Sequence, residues 1–386
     1  MGQHLRILHC LRAPVGGLFR HVLDLAAEEA RLGHGVGIIA DSSTGDALTA
    51  ERFAEIKSKL RLGLHLIPMS RTPGLGDLAA AWQTMAIARR EKADVVHGHG
   101  AKGGAYARLA AAALKATGQG PRSFYTPHGG SLHFDPTSLE GRVYLRLEKL
   151  LGRVTDGLIF ESSYSKRIYE ERIGFGRTPV RVVPNGLGPD DFAAHAPAHD
   201  AAEFLFVGEL RHLKGVDVLL EALAAVNRTR PARAVIVGGG PDAEAFKAQA
   251  RSLGLSDCVD FPGVLPARKA FTRGRCLIVP SRAESFPYIV LEAAASGIPL
   301  IATNVGGIPE IVNGTDTELI APANFTALTA AMQRNLDNQA AAEARAQRLR
   351  AEVARKFTIQ AMASAVLHFQ CTTPDAAELA LKLTEN

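Results

Sequence analysis

The stretch Cys276-Leu-Ile-Val-Pro280, followed by Glu284-Ser-Phe-Pro-Tyr-Ile-Val-Leu-Glu292 and Ala293-Ala-Ala-Ser-Gly297, carries most of the fold in miniature. An apolar run bounded by proline reads as a buried strand. The small-residue segment after the loop reads as a helix, drawn as Glu284–Ser296. Glu284 then stands on the loop and Glu292 in the helix. A loop at the C-terminal end of a parallel strand is where open α/β sheets bind ligands. Two carboxylates there accept hydroxyl hydrogen bonds, which suits a polyol such as a sugar or a ribose. Two glutamates bracketing seven residues prove little by themselves; the surrounding pattern gives them weight.

Working outward, the same alternation fills the chain. Strand Arg6–Leu11, a glycine loop, helix Leu18–Leu32 and strand Val36–Ala40 open it. Further helix and strand pairs run to Val183, and Pro184–Glu203 turns rich in Pro, Gly, Asp, Ala and His, as an interdomain linker does. The alternation restarts at Phe204–Val207 and continues to Glu318–Ile320. Two doubly wound α/β domains are expected, one over 1–187 joined by a tail helix at about 358–386, the other over 188–357.

Composition agrees. The chain has 386 residues, 47% hydrophobic and 22% charged, enough for two ordinary domains. No apolar run approaches the roughly 18 residues of a membrane span. The start is too short and polar for a secretory leader, and Cys10, Cys258, Cys276 and Cys371 are scattered, so a cytoplasmic setting without disulfides is expected. Residues 1–190 carry a net +7 and residues 191–386 a net −2. A basic first half suits phosphates or an anionic membrane surface.

Several loops carry chemistry. Gly16-Gly17 lies between the first strand and helix, where glycine lets a ligand approach backbone N–H groups at a helix N-terminus. Gly208-Glu-Leu-Arg211-His-Leu-Lys214 follows the first strand of the second half. Its two cations, three residues apart, suit a diphosphate: arginine binds bidentately and lysine acts as a point charge. Gly238, Gly240 and Ala243 formally fit a dinucleotide fingerprint, but they sit in the second βα unit of the second half. His128, in Tyr125-Thr-Pro-His128-Gly129, ends a strand of the first half and is placed to hydrogen-bond a sugar. His97 and His99 lie close together, and with no neighbouring carboxylate or cysteine they read as structural.

From Gly16 to about Val312 these motifs, in this order, resemble the retaining glycosyltransferases of family 4. Leu32-Gly33-His34, Gly238-Gly-Gly-Pro241, Val183-Pro-Asn185-Gly186 and Val305-Gly-Gly307-Ile-Pro-Glu310 match further landmarks of that family. The resemblance implies a GT-B fold, two Rossmann-like domains facing a central cleft. It implies transfer of a sugar from a nucleotide-diphosphate donor to a glycan or lipid-linked acceptor, of the bacterial polysaccharide or lipopolysaccharide type. It assigns Glu284 to donor hydroxyls, Glu292 to the ribose, and Arg211 and Lys214 to the diphosphate. Gly208 and the backbone of Phe286, Pro287, Tyr288, Ile289 and Val290 would help. Gly16 and Gly17 would approach the donor from the opposing domain, and His128 would face the reacting sugar. The family needs no metal or cofactor, and no nucleic-acid partner is expected. No residue stands out as a covalent nucleophile, which accords with attack on the face the phosphate leaves.

One departure is visible: Pro287 and Tyr288 stand where the family has glycine and a small aliphatic residue, so one backbone donor is missing. Residues 139–154 form a basic amphipathic helix, with Arg142, Arg146, Lys149 and Arg153 beside Val143, Leu147, Leu150, Leu151 and Val154. It suits either packing inward or weak binding to an anionic membrane. The rival readings are a GT-B nucleotide-sugar epimerase, an NAD-dependent oxidoreductase using Gly238 and Gly240, and a non-catalytic binding module.

Overall fold

The computed structural model describes residues 4–118, 120–129, 137–194 and 196–374. These divide into two compact units. The first holds the described residues through Gly186 and those from Ile359 onward; the second is Leu187–Thr358.

In the first unit β1 (Arg6–Leu11), β2 (Gly35–Asp41), β3 (Gly63–Ile67), β4 (Val95–His99), β5 (Arg122–Thr126), β6 (Gly157–Phe160) and β7 (Val180–Val182) form one sheet. All its pairings are parallel, in the order β3-β2-β1-β4-β5-β6-β7. Helices α1 (Gly16–Arg31), α2 (Ala47–Lys57), α3 (Leu75–Arg90), α4 (Gly100–Lys115), α5 (Leu139–Gly152) and α6 (Ser163–Arg172) make the crossovers. The central strands are buried on both faces and largely apolar, apart from His9 in β1 and His97 and His99 in β4. Val36, Ile38 and Ala40 pack with Phe19, Val22 and Phe53 on one side. Ile39 points the other way, to Leu8, Val96 and Tyr106.

The second unit repeats the plan. Strands β8 (Ala202–Val207), β9 (Ala234–Val237), β10 (Val259–Gly263), β11 (Gly274–Val279), β12 (Leu300–Thr303) and β13 (Leu319–Ile320) lie parallel, in the order β10-β9-β8-β11-β12-β13. Around them stand α7 (Val216–Asn227), α8 (Ala243–Ser252), α9 (Ala267–Phe271), α10 (Tyr288–Ser296), α11 (Ile308–Val312), α12 (Phe325–Asp337) and α13 (Gln339–Lys356). In each sheet the strand order reverses once, between β1 and β4 and between β8 and β11. The loops leaving those four strands flank the switch points, where such sheets bind ligands.

The tail helix α14 (Ile359–Thr372) belongs to the first unit. Met362, Ala363, Val366 and Leu367 pack there with Leu5, Ile7, Leu25 and Phe124. The end of the expected tail helix, residues 375–386, lies outside the described residues. Several elements depart from expectation. Helices α2 and α9 and edge strand β3 stand where the sequence reading placed no element. The helix drawn from Glu284 begins only at Tyr288, because Pro287 caps it with an extended backbone (ψ 123°).

Candidate active site

In the second unit the loops after β8 and β11 meet. Arg211 precedes a short 3₁₀ turn, His212–Lys214, which ends on Gly215 in the left-handed region (φ 71°). A Cβ at Gly215 would lie 2.0 Å from the Pro280 carbonyl oxygen, so only glycine lets the two loops touch. Lys214 Nζ then donates to Glu284 Oε1 at 2.6 Å, and Ser281 Oγ donates to the same oxygen at 2.7 Å. Glu284 is 9% exposed, and among the described residues its Oε2 has no partner. Lys214 keeps two further N–H donors. The Arg211 guanidinium is half exposed, 3.5 Å from an equally exposed Glu209, a pairing of little energy. Arg282 braces the corner by donating to Asp217 at 2.7 and 2.5 Å and to the His212 carbonyl at 2.7 Å. The Asp217 carboxyl is pushed up by burial, but the Arg282 guanidinium outweighs this and holds it below the usual range.

The other expected donor contacts fall unevenly around this corner. Gly208 follows β8 and donates to the Val237 carbonyl at 3.0 Å. Glu292 lies on the second turn of α10. Phe286, Tyr288 and Val290 have core side chains, so only their backbone is available to a ligand. Pro287 has no N–H, and the Val290 N–H bonds the Pro287 carbonyl at 3.2 Å; Ile289 is half-buried. The glycine triplet has a packing role. A Cβ at Gly238 would sit 1.8 Å from the Gly208 oxygen, and one at Gly240 2.5 Å from the Leu210 oxygen.

In the first unit Gly16 opens α1 in the left-handed region (φ 64°) with open space where a Cβ would stand; Gly17 follows it on the exposed first turn. His128 also has a left-handed backbone (φ 51°), rare for a residue with a side chain. Its ring is nearly buried and bonded at both nitrogens, to Glu161 Oε1 at 2.5 Å and to His99 at 3.0 Å. The reading of His97 and His99 as remote from any carboxylate is corrected here. The parallel register sets His9 opposite His97, and Leu11 opposite His99. His9 bonds His99 at 3.0 Å and Glu29 at 2.7 Å. His97 bonds Thr126 at 2.9 Å, and His21 bonds Asn185 at 2.9 Å. Burial, then neighbouring histidines, hold His97 and His99 well below the usual imidazole range. Burial first, then His128, lowers His21 to about 3. The ring nitrogens of His9, His97 and His99, and those of His21, His99 and His128, come within 4.8 Å of one another, close enough to share a metal. Nearly all already hold hydrogen bonds, and His21 Nε2 has none among the described residues. Sequence spacing gave no sign of Glu29, Glu161 or Ser281. A cue for the cluster existed in two histidines on one buried strand, which need partners.

Comparison with known proteins gives this geometry its family. Residues 15–191 match the family described as Glycosyltransferase Family 4, and residues 189–353 match Glycosyl transferases group 1. The chain belongs to the family 4 glycosyltransferases. Among relatives of this glycosyltransferase, a glycogen synthase of Mycobacterium tuberculosis is 29% identical over 91% of this chain and 90% of its own length. A D-inositol 3-phosphate glycosyltransferase of Acidothermus cellulolyticus is 27% identical over 90% and 82%. Among solved structures, HepE of Anabaena in complex with UDP and glucose superposes with a TM-score of 0.79, at 18% identity, over 96% of this chain and 100% of that one. WaaG, a glycosyltransferase involved in lipopolysaccharide biosynthesis, gives 0.70 at 19% identity, over 94% and 98%. These structures establish the GT-B fold of two Rossmann-like units.

Proposed function

We propose that this glycosyltransferase takes its sugar from a nucleotide-diphosphate donor bound at the β8–β11 switch point. It passes that sugar, with retained configuration and without metal, to a glycan or lipid-linked acceptor of the cell surface. The observation that carries the reading is the Lys214–Glu284 contact beside the open Arg211. Lys214 bonds Glu284 through one N–H and keeps two for a phosphate. Arg211 adds a bidentate fork, and the two fixed cations stabilise charge as the nucleoside diphosphate departs. Glu284 Oε2 accepts a donor hydroxyl, and Glu292 takes the ribose. UDP and glucose in the HepE complex and the inositol phosphate acceptor named for one relative are in keeping with a nucleotide-sugar donor and a polyol acceptor.

A membrane-side acceptor is favoured by α5. Leu139, Val143, Leu147 and Leu150 are 47–74% exposed, alongside exposed Arg142, Arg146, Lys149 and Arg153. Of the two roles for this helix, the exposed apolar stripe favours the anionic surface of the cytoplasmic leaflet. No described helix is long and apolar enough to cross a membrane.

The test is a thermal-shift panel of UDP, GDP, ADP and NAD on wild type and Arg211→Ala. A ligand of the folded state raises the melting temperature by mass action. One nucleoside diphosphate is expected to stabilise wild type and not the variant. Stabilisation by NAD alone would overturn the reading.

A further inference from the structure

Five buried groups of the first unit stand in a line of hydrogen bonds. Glu29 Oε2 meets His9 Nε2 at 2.7 Å, and His9 Nδ1 meets His99 Nε2 at 3.0 Å. His99 Nδ1 meets His128 Nε2 at 3.0 Å, and His128 Nδ1 meets Glu161 Oε1 at 2.5 Å. Four contacts need four hydrogens, and ionised carboxylates supply none. Three neutral imidazoles supply three. The line is one proton short unless it holds an extra one. We infer that Glu29, His9, His99, His128 and Glu161 together store one proton beyond three neutral imidazoles, and that reversal of His99 moves the positive charge between His9 and His128.

The bookkeeping leaves three arrangements; the one that puts both N–H groups on His99 charges the ring at the centre of the line, and the other two charge its ends. In one of those two, His9 carries both N–H groups, and His99 donates through Nδ1 to a neutral His128. In the other, the His9 Nδ1 proton has passed to His99 Nε2 while the His99 Nδ1 proton has passed to His128 Nε2. Two N–H bonds break and two form, and His128 becomes the imidazolium against Glu161. The extra proton stays on a ring because imidazole is the stronger base. Glu161 is pushed up by burial, but the adjoining His128 outweighs this and holds its carboxyl below the usual range. Among the described residues Glu29 Oε1 and Glu161 Oε2 are buried without hydrogen-bond partners, so a charged ring at either end of the line supports the carboxylate beside it. The rings packed against the line add no charge. His97 lies 4.1 Å from His99 between ring centres, and His21 lies 4.8 Å from His128; burial keeps both neutral. Glu29, His9, His99 and Glu161 are thus positioning residues that set the charge of His128. What that charge serves rests on the donor site proposed above; the proton count does not.

The experiment is NMR of ¹⁵N-histidine-labelled protein at pH 8 after dialysis against EDTA, with no donor present. Protonated and bare ring nitrogens resonate in separate ranges. His9, His99 and His128 are expected to show four protonated nitrogens out of six. Glu161→Gln, whose amide donates to His128, should show three. If that variant does not fold, Glu29→Gln should also show three. A wild-type count of three overturns the proposal, as does a count of four that persists in the folded variants. A joint shift of His21, His99 and His128 on adding one equivalent of zinc also overturns it, because those nitrogens would then be open to metal. Failure of the nucleotide panel would sink the donor reading and leave the count standing.

Discussion

At the residue scale the candidate site rests on a few contacts. Lys214→Ala removes one cation from the leaving phosphates and leaves Glu284 without its ion pair. Loss of one such preorganised donor costs about 10²–10³ in rate. Transfer by the folded variant, assayed with the donor found in the nucleotide panel, should fall by that amount; a variant keeping a tenth of wild-type activity would refute the role. A second residue prediction concerns stability. Arg108 is fully buried, donates to Glu148 at 2.9 Å, and lies 3.9 Å above the Tyr125 ring. Arg108→Ala leaves a buried carboxylate unpaired, which costs about 3–5 kcal/mol. Arg108→Met with Glu148→Leu should recover most of that loss in urea unfolding. At this scale the sequence was half legible. Glu284, Arg211 and Lys214 were readable because each lies on a strand-end loop with its own local motif. The histidine line was not, because its members come from β1, α1, β4 and the segments after β5 and β6, and only the strand register and the packing of α1 bring them together.

At the element scale the strongly patterned pieces were legible and the weak ones were not. Strands β2, β8, β9 and β11 carry solid apolar runs, so they read directly. Strand β3 is an edge strand, Gly63-Leu-His-Leu-Ile67, mostly half-buried, and its sequence lacks that run. Helix α2 starts from Asp46, whose side chain accepts from the Thr49 N–H, a cap easily taken for a turn. Helix α5 was legible as amphipathic, but not which side faced water. The Ser138 cap and the buried Glu148, held by Arg108 and Tyr125, settle that by anchoring its polar interior side. Wild-type protein should therefore pellet with phosphatidylglycerol vesicles at low salt and release as salt rises. Leu147→Glu with Leu150→Glu should abolish pelleting without changing the nucleotide shift. Equal pelleting of the two proteins would refute the surface.

At the scale of the whole molecule the two units share one sheet plan, yet their titrating interiors differ. His9, His21, His97 and His99 are buried in the first unit, whereas the described histidines of the second, His199 and His212, are exposed. Burial keeps His97 and His99 neutral and sets His21 at about 3. In the unfolded chain these rings bind protons below about pH 6.5. The unfolded state then holds more protons than the folded one, so this stability is complete above about pH 6.5 and is lost as the pH falls. Each ring contributes a slope of up to about 1.4 kcal/mol per pH unit. Carboxylates of an unfolded chain titrate at about pH 4, below the interval between pH 6.5 and 5. Amide hydrogen exchange, read strand by strand, separates the units. Protection of β1 and β4 should fall steeply between pH 6.5 and 5 after correction for intrinsic exchange, while that of β8 and β11 stays nearly level. A parallel decline in both sheets would mean that the buried histidines are not what ties the first unit to neutral pH.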